Sequence, residues 1–184
     1  MKNKLRKTFI ERRINLDLNF VKVNSDKIKD NLFNLDKFNR AKKIAIYFSK
    51  ENEVSTKDII HSMLMINKEV FLPRVDGDKI DFKRINSLND VAIGRFNIME
   101  PNKRCASIDP NKLDMIIVPC VAVDKNGNRI GMGAGFYDRF FSDYKTIKSV
   151  CLAYDFQLID EIKADKHDKK IGVIITEKDV IRNE

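Results

Sequence analysis

Apolar positions fall into two kinds of pattern along the chain. Leu5, Phe9 and Ile10 recur at helical spacing within the basic stretch 1–14. Ile28, Leu32 and Leu35 do the same after Ser25, a residue able to cap a second helix. Then come short apolar runs of the kind that fill buried strands. Lys43-Ile44-Ala45-Ile46-Tyr47-Phe48 reads as a strand, Ser55 or Thr56 can cap a helix bearing Ile59, Ile60, Met63 and Leu64, and Val70-Phe71-Leu72-Pro73 reads as the next strand. This is a βαβ unit. The turn Asp76-Gly77-Asp78-Lys79 leads into Ile80-Asp81-Phe82-Lys83, which alternates as an edge or hairpin strand does. Residues 86–112 read as irregular. Three more apolar runs follow, at 115–123, 150–154 and 171–175. Strand-like runs separated by helical stretches predict an α/β domain over 1–184, with a central, largely parallel sheet covered on both faces.

Composition narrows this reading. A chain of 184 residues fits one such domain, and 43% hydrophobic against 34% charged residues is a balance that folds rather than one that stays disordered. No apolar run approaches the roughly 20 residues that span a bilayer, and Met1-Lys2-Asn3-Lys4-Leu5-Arg6 has no apolar region of the secretory kind, so a cytoplasmic protein without membrane contact is expected. Cys105, Cys120 and Cys151 are scattered without CxxC spacing, which fits reduced, mostly buried thiols. A net charge of +8 favours an anionic partner: phosphate, polyglutamate and nucleic acid all qualify.

The chemistry concentrates in one segment. Four of the seven glycines, Gly127, Gly131, Gly133 and Gly135, lie between an apolar run and a helix expected to start near Phe136. Glycine permits positive φ and close approach of a ligand to backbone N–H groups, and a helix N-terminus adds partial positive charge. Phosphate binding is one reading; a glycine-rich turn from strand to helix is the other. Neither GxxxxGK[ST] nor GxGxxG is matched. Arg129 precedes the loop and Arg139 follows it, each able to pair with phosphate oxygens. Asp138, in the first helical turn, can cap the helix or hold Mg²⁺, with capping the more common role. His61, on an amphipathic helix, reads as a surface or half-buried side chain rather than a catalyst, and His167, in the charged run 163–170, as a solvated one.

The segment Gly127-Asn128-Arg129-Ile130-Gly131-Met132-Gly133-Ala134-Gly135-Phe136-Tyr137-Asp138-Arg139, behind Val118-Pro119, resembles the signature of the 5-formyltetrahydrofolate cyclo-ligase family. Supporting matches run along the chain: Lys2-x-Lys4-Leu5-Arg6, Glu53-Val54-Ser55-Thr56, Leu72-Pro73, Gly94-x-x-x-Ile98-x-Glu100-Pro101 and His167-Asp168. Met132, Ala134 and Phe136 depart from the residues frequent in members. The resemblance implies a single-domain three-layer α/β/α sandwich of Rossmann-like topology. It implies ATP held by Lys2, Asn3, Lys4, Leu5 and Arg6 and by Arg129, Ile130, Gly131, Met132, Gly133, Ala134, Gly135, Phe136 and Tyr137. The folate would meet Phe48, Glu53 and the stretch Met132, Gly133, Ala134, Gly135 and Phe136, and Mg²⁺ would sit between Asp138 and Asp168. Arg129 and Asp138 would be the catalytic pair.

The reaction implied is closure of 5-formyltetrahydrofolate, with or without a polyglutamate tail, to 5,10-methenyltetrahydrofolate by a monomeric enzyme using ATP. No protein nucleophile is needed. That suits a sequence without a Ser-His-Asp or Cys-His arrangement, since phosphoryl transfer is largely positioning and charge stabilisation. The rival from another class is a basic nucleic-acid-binding module, whose sign would be strongly salt-dependent affinity. Its lysines are spread along the chain and offset by 27 acidic residues, and no nucleic-acid motif appears, so no nucleic-acid partner is expected.

Overall fold

The computed structural model describes residues 2–163 and 168–183. His167 therefore lies outside the described residues. In chain order the elements are α1 (Lys2–Ile14), α2 (Leu18–Phe33), α3 (Asp36–Arg40), β1 (Lys43–Ile46), α4 (Lys57–Met65), β2 (Glu69–Asp76), β3 (Lys79–Ile85), β4 (Val91–Ile93) and β5 (Met99–Pro101). They continue with β6 (Met115–Pro119), β7 (Ala122–Asp124), β8 (Arg129–Ile130), α5 (Phe136–Asp143), β9 (Lys148–Leu152), β10 (Leu158–Ile159), β11 (Val173–Ile175) and β12 (Val180–Arg182).

The main sheet has the order β12-β11-β9-β6-β1-β2-β3. Its inner pairs are parallel, and β12 and β3 close the two edges antiparallel. Alternation along each strand sorts side chains between two layers. Ile44, Ile46, Met115, Ile117, Val150, Leu152, Val173 and Ile175 join Ile28, Leu32, Ile59, Ile60 and Met63 from α2 and α4 on one face. Ala45, Ile116, Val118, Cys151 and Ile174 face the other way, against Phe140 and Phe141 of α5. The predicted three-layer α/β/α arrangement is thus built on period-2 strands that are apolar on both sides.

A second sheet, β10-β7-β8, stands beside the first and carries α1: Leu5, Phe9 and Ile10 pack on Val121, Ala122, Ile130 and Ile162. The apolar run 115–123 therefore belongs to two sheets rather than one strand. Pro119 has no N–H to extend the ladder, and the carbonyls of Cys120 and Val121 are taken by Gln157 Nε2 at 3.1 and 2.9 Å.

Three local expectations are corrected. Ser25 is not a cap: α2 begins seven residues earlier, where Asp17 accepts from Phe20 N. Ser25 is buried in mid-helix and its Oγ accepts from Ser55 N at 2.9 Å. Residues 86–112 are not wholly irregular, because β4 and β5 pair antiparallel there. Thr56 does stand at the head of α4, yet its Oγ1 accepts from Ser49 N, 2.9 Å away, instead of capping the helix.

Candidate functional site

The chain leaves β1 toward β2 on one side and β6 toward β9 on the other, although β1 and β6 are neighbours. Such a switch point opens a crevice at the strand C-termini, where open α/β sheets bind ligands. Tyr47 and Phe48 leave β1 there, and Pro119 and Cys120 leave β6. Phe48 is half-buried against the sheet. Tyr47 Oη donates to Val54 O at 3.0 Å, while Ser49 and Thr56 exchange hydrogen bonds, so the loop between them is pinned at both ends.

Glu53 sits in that loop. Its Oε2 accepts from Lys50 N at 2.9 Å, its backbone carbonyl accepts from Tyr154 Oη at 3.1 Å, and Oε1 lies 3.5 Å from Arg13 Nη1. Burial pushes its carboxyl above the ordinary range, opposed by the Arg13 charge and the Lys50 amide. The same burial raises the Tyr47 and Tyr137 phenols, both of which feel the Glu53 charge, so these hydroxyls stay protonated donors near it.

The glycine segment forms the other wall. Gly133 and Gly135 adopt φ of +103° and +68°, a backbone that side chains rarely accept, and α5 starts at once behind them. Met132, Gly133 and Ala134 are exposed. Helix α1 lies over the loop: Arg6 Nε donates to Gly131 O at 2.7 Å, and a Cβ at Gly133 would lie 3.4 Å from Arg6 Cζ. One turn earlier on the same helix, Lys2 pairs with Asp168. Asn3 steadies Arg6, and Lys4 is exposed. Leu5 and Ile130 put their side chains into the packing beneath α1, so what they can offer a nucleotide is backbone. An open groove of about 670 Å³ follows α1 past Arg6, Lys7, Ile10 and Ile14.

The two arginines beside the loop are used differently. Arg129 is only 3% exposed; it lies between the rings of Tyr137 and Phe141, and its Nη2 donates to Asp138 Oδ1 at 3.0 Å. Arg139 is exposed and gives its fork to Asp78 O of the β2–β3 turn, with its Cζ over the half-buried Phe136 ring. Asp138 thus spends one oxygen on Arg129, and the N-cap of α5, Gly135, has no side-chain cap bond. Arg13 Nε and Arg129 Nε are buried without a hydrogen-bond partner among the described residues. Orphaned buried donors of this kind call for water or a ligand.

The structure therefore gathers Lys2 with Asp168, Arg6 with Gly131 and Gly133, and Arg129 with Asp138 and Tyr137. Arg13 was missed by sequence reasoning. Its signal was its place four residues after Phe9 and eight after Leu5, an arginine on the buried stripe of a helix.

An open, mostly parallel α/β sheet with a switch point, accompanied by a glycine loop and buried arginines, belongs to the class of ligand-binding α/β folds. Residues 1–177 match the model of the 5-formyltetrahydrofolate cyclo-ligase family, and the chain belongs to that family. It is 37% identical over 147 residues to the 5-formyltetrahydrofolate cyclo-ligase of Haemophilus influenzae, covering 77% of this chain and 79% of that one. Among solved structures it resembles the Aquifex aeolicus 5,10-methenyltetrahydrofolate synthetase, with a TM-score of 0.91 and 36% identity over 100% of this chain and 93% of that one. It also resembles the Mycoplasma pneumoniae 5,10-methenyltetrahydrofolate synthetase, with a TM-score of 0.78 and 27% identity over 96% and 98% of the two chains.

Proposed function

We propose that this chain, acting as one domain over 1–184, closes 5-formyltetrahydrofolate to 5,10-methenyltetrahydrofolate at the expense of ATP. The observation that carries the reading is Arg6 seated on Gly131 and Gly133, which puts a basic helix, a positive-φ glycine loop and the start of α5 around one space. That is a site for a polyphosphate. Lys2, Asn3, Lys4, Leu5 and Arg6 hold the nucleotide from one side, and Arg129 to Tyr137 from the other.

The formyl oxygen attacks the γ-phosphorus of ATP, the bond from that phosphorus to the bridging oxygen breaks, and ADP leaves with the electron pair. N10 then attacks the activated formyl carbon and gives up its proton, the C–O bond breaks, and phosphate departs with the former formyl oxygen, taking up that proton. Arg129 and the loop amides stabilise charge on the transferring group without reorganising. Phe48 lies along the folate rings while the carboxylate of Glu53 accepts their N–H donors. The phenol of Tyr137 remains protonated beside it.

Asp138 and Asp168 are hard carboxylates of the kind Mg²⁺ takes, and each already holds a cationic group, Arg129 and Lys2. These two residues would hold the ion, which would neutralise phosphate charge. Among the described residues no helix is long and apolar enough to cross a membrane; we place the enzyme in the cytoplasm as a monomer, with polyglutamylated folate within its substrate range.

Purified protein mixed with 5-formyltetrahydrofolate, ATP and Mg²⁺ should develop the long-wavelength absorbance of methenyltetrahydrofolate, and none without ATP. Asp138→Ala should abolish it while far-UV circular dichroism stays native. No product from the native protein would end the reading and turn attention to nucleic-acid binding.

A further inference from the structure

Arg13 has no part in the reading above, yet its position is costly. Its side chain is 3% exposed, and a buried guanidinium is tolerated only when paired and hydrogen-bonded. Its Nη1 lies 3.5 Å from Glu53 Oε1, and its Nε has no partner among the described residues. Leu5 and Phe9, on the same stripe of α1, anchor that helix in apolar packing. An aliphatic residue at position 13 would continue that anchor without a desolvation cost.

We propose that Arg13 is a positioning residue of the folate site, holding the Glu53 carboxylate ionised and turned to the crevice so that it can accept N–H donors of the substrate. The proposal rests on the cyclo-ligase reading and deepens it. Facing Glu53 from its own loop are the Lys50 amide and the charges of Lys50 and Glu51; from α1, Arg13; from the end of β1, Tyr47; from α5, Tyr137; and from the end of β9, Tyr154, whose hydroxyl holds the Glu53 carbonyl. Burial raises all three phenols, so they are neutral wherever Glu53 titrates. Arg13 contributes the largest opposition to burial of that carboxylate.

Without Arg13 the carboxyl holds its proton to higher pH, because the close opposite charge that counters burial is gone. A protonated Glu53 accepts less and folate binding weakens, whereas the nucleotide contacts at the other end of α1 are untouched.

The test uses Arg13→Met, which keeps bulk, Arg13→Lys, which keeps charge, and Glu53→Gln. Expected for Arg13→Met is a KM for 5-formyltetrahydrofolate raised at least about tenfold, an unchanged KM for ATP, and an acid limb of kcat/KM displaced upward. Arg13→Lys should restore most of that limb, and Glu53→Gln should remove it. Equal losses toward both substrates with an unmoved limb would mean Arg13 only anchors α1, and the proposal would fall. Should the native protein make no product, the cyclo-ligase reading fails by itself. The Glu53 carboxyl resonance, followed by NMR against pH in native protein and Arg13→Met, still decides: its midpoint must rise, and an unmoved midpoint overturns the proposal.

Discussion

Arg129 and Asp138 join the start of the short strand β8 to the first turn of α5: Nη2 stands 3.0 Å from Oδ1, with the glycine loop between the two residues along the chain. The pair is unequal, since Arg129 is 3% exposed and Asp138 34%. Asp138 can exchange its partner for another cation at little cost, whereas Arg129 is fixed between Tyr137 and Phe141. Arg129→Lys keeps a charge but loses the planar fork and its ring contacts. We expect kcat/KM to fall on the order of 10²-fold. Steady-state assay at saturating Mg²⁺ checks this; activity within twofold of native would remove Arg129 from the catalytic machinery.

Backbone geometry and ligand approach can be separated within the loop. Gly135→Ala places a Cβ at φ +68°, 2.9 Å from the flexible end of Arg139, and should cost roughly 1–2 kcal/mol of stability by backbone strain. Gly131 has no positive φ, and a Cβ there would meet only Arg129 Nη1 at 3.9 Å. Gly131→Ala should therefore leave the thermal midpoint unchanged within a degree or two. If ATP comes close to this backbone, Gly131→Ala raises the KM for ATP all the same.

Asp124 is fully buried, and its carboxylate accepts four hydrogen bonds among the described residues. Asn126 N and Asn128 N reach Oδ1 at 3.0 and 2.9 Å, and Asn128 Nδ2 and Ile162 N reach Oδ2 at 2.8 and 2.9 Å. Removing the carboxylate strands these donors away from water. Asp124→Ala should destabilise by about 2–4 kcal/mol, read by urea unfolding, and should loosen the turn that delivers Arg129. A loss below about 1 kcal/mol would show that solvent reaches the turn.

Asp114 clamps the starts of β1 and β6 by accepting from Lys42 N and Lys43 N, each at 2.8 Å. Burial alone would raise its carboxyl, but these two amides, with the charges of Lys43 and Lys148, bring it below the ordinary range. A lowered folded value means stability present above the unfolded value, near about 3.9, and lost as pH falls through the folded one. Asp114→Asn should lower stability by under about 1 kcal/mol at pH 7, because the site is largely exposed, and the gap to native should close as pH falls through the lowered folded value. Denaturant titrations over a series of falling pH compare the two; a pH-independent difference would contradict the clamp.

Strand positions and the glycine loop were readable from order alone because each is a local pattern. Apolar runs must be buried on both faces, and clustered glycines before an amphipathic segment must turn into a helix. Helix starts were less legible. Ser25 has capping chemistry, but Asp17 lies ahead of a longer amphipathic stretch, and burial of Ser25 against Ser55 and Tyr154 outweighs the local preference. The run 115–123 carries one hydrophobic pattern and two structural fates, decided by which carbonyls Gln157 takes after Pro119.

By itself the sequence determined a parallel-sheet α/β architecture and the segment where its chemistry lies, since both depend on residues within a few positions of each other. Tertiary structure decided which charges meet. Lys2 and Asp168 are 166 residues apart, Arg6 and Gly131 are 125 apart, and Arg13 reaches Glu53 across the crevice. Those pairings follow from α1 docking on the second sheet through Leu5, Phe9 and Ile10. The helical spacing of these residues says that they pack but not on what, since a hydrophobic contact has no direction; once made, it fixes where every polar group on the helix must point.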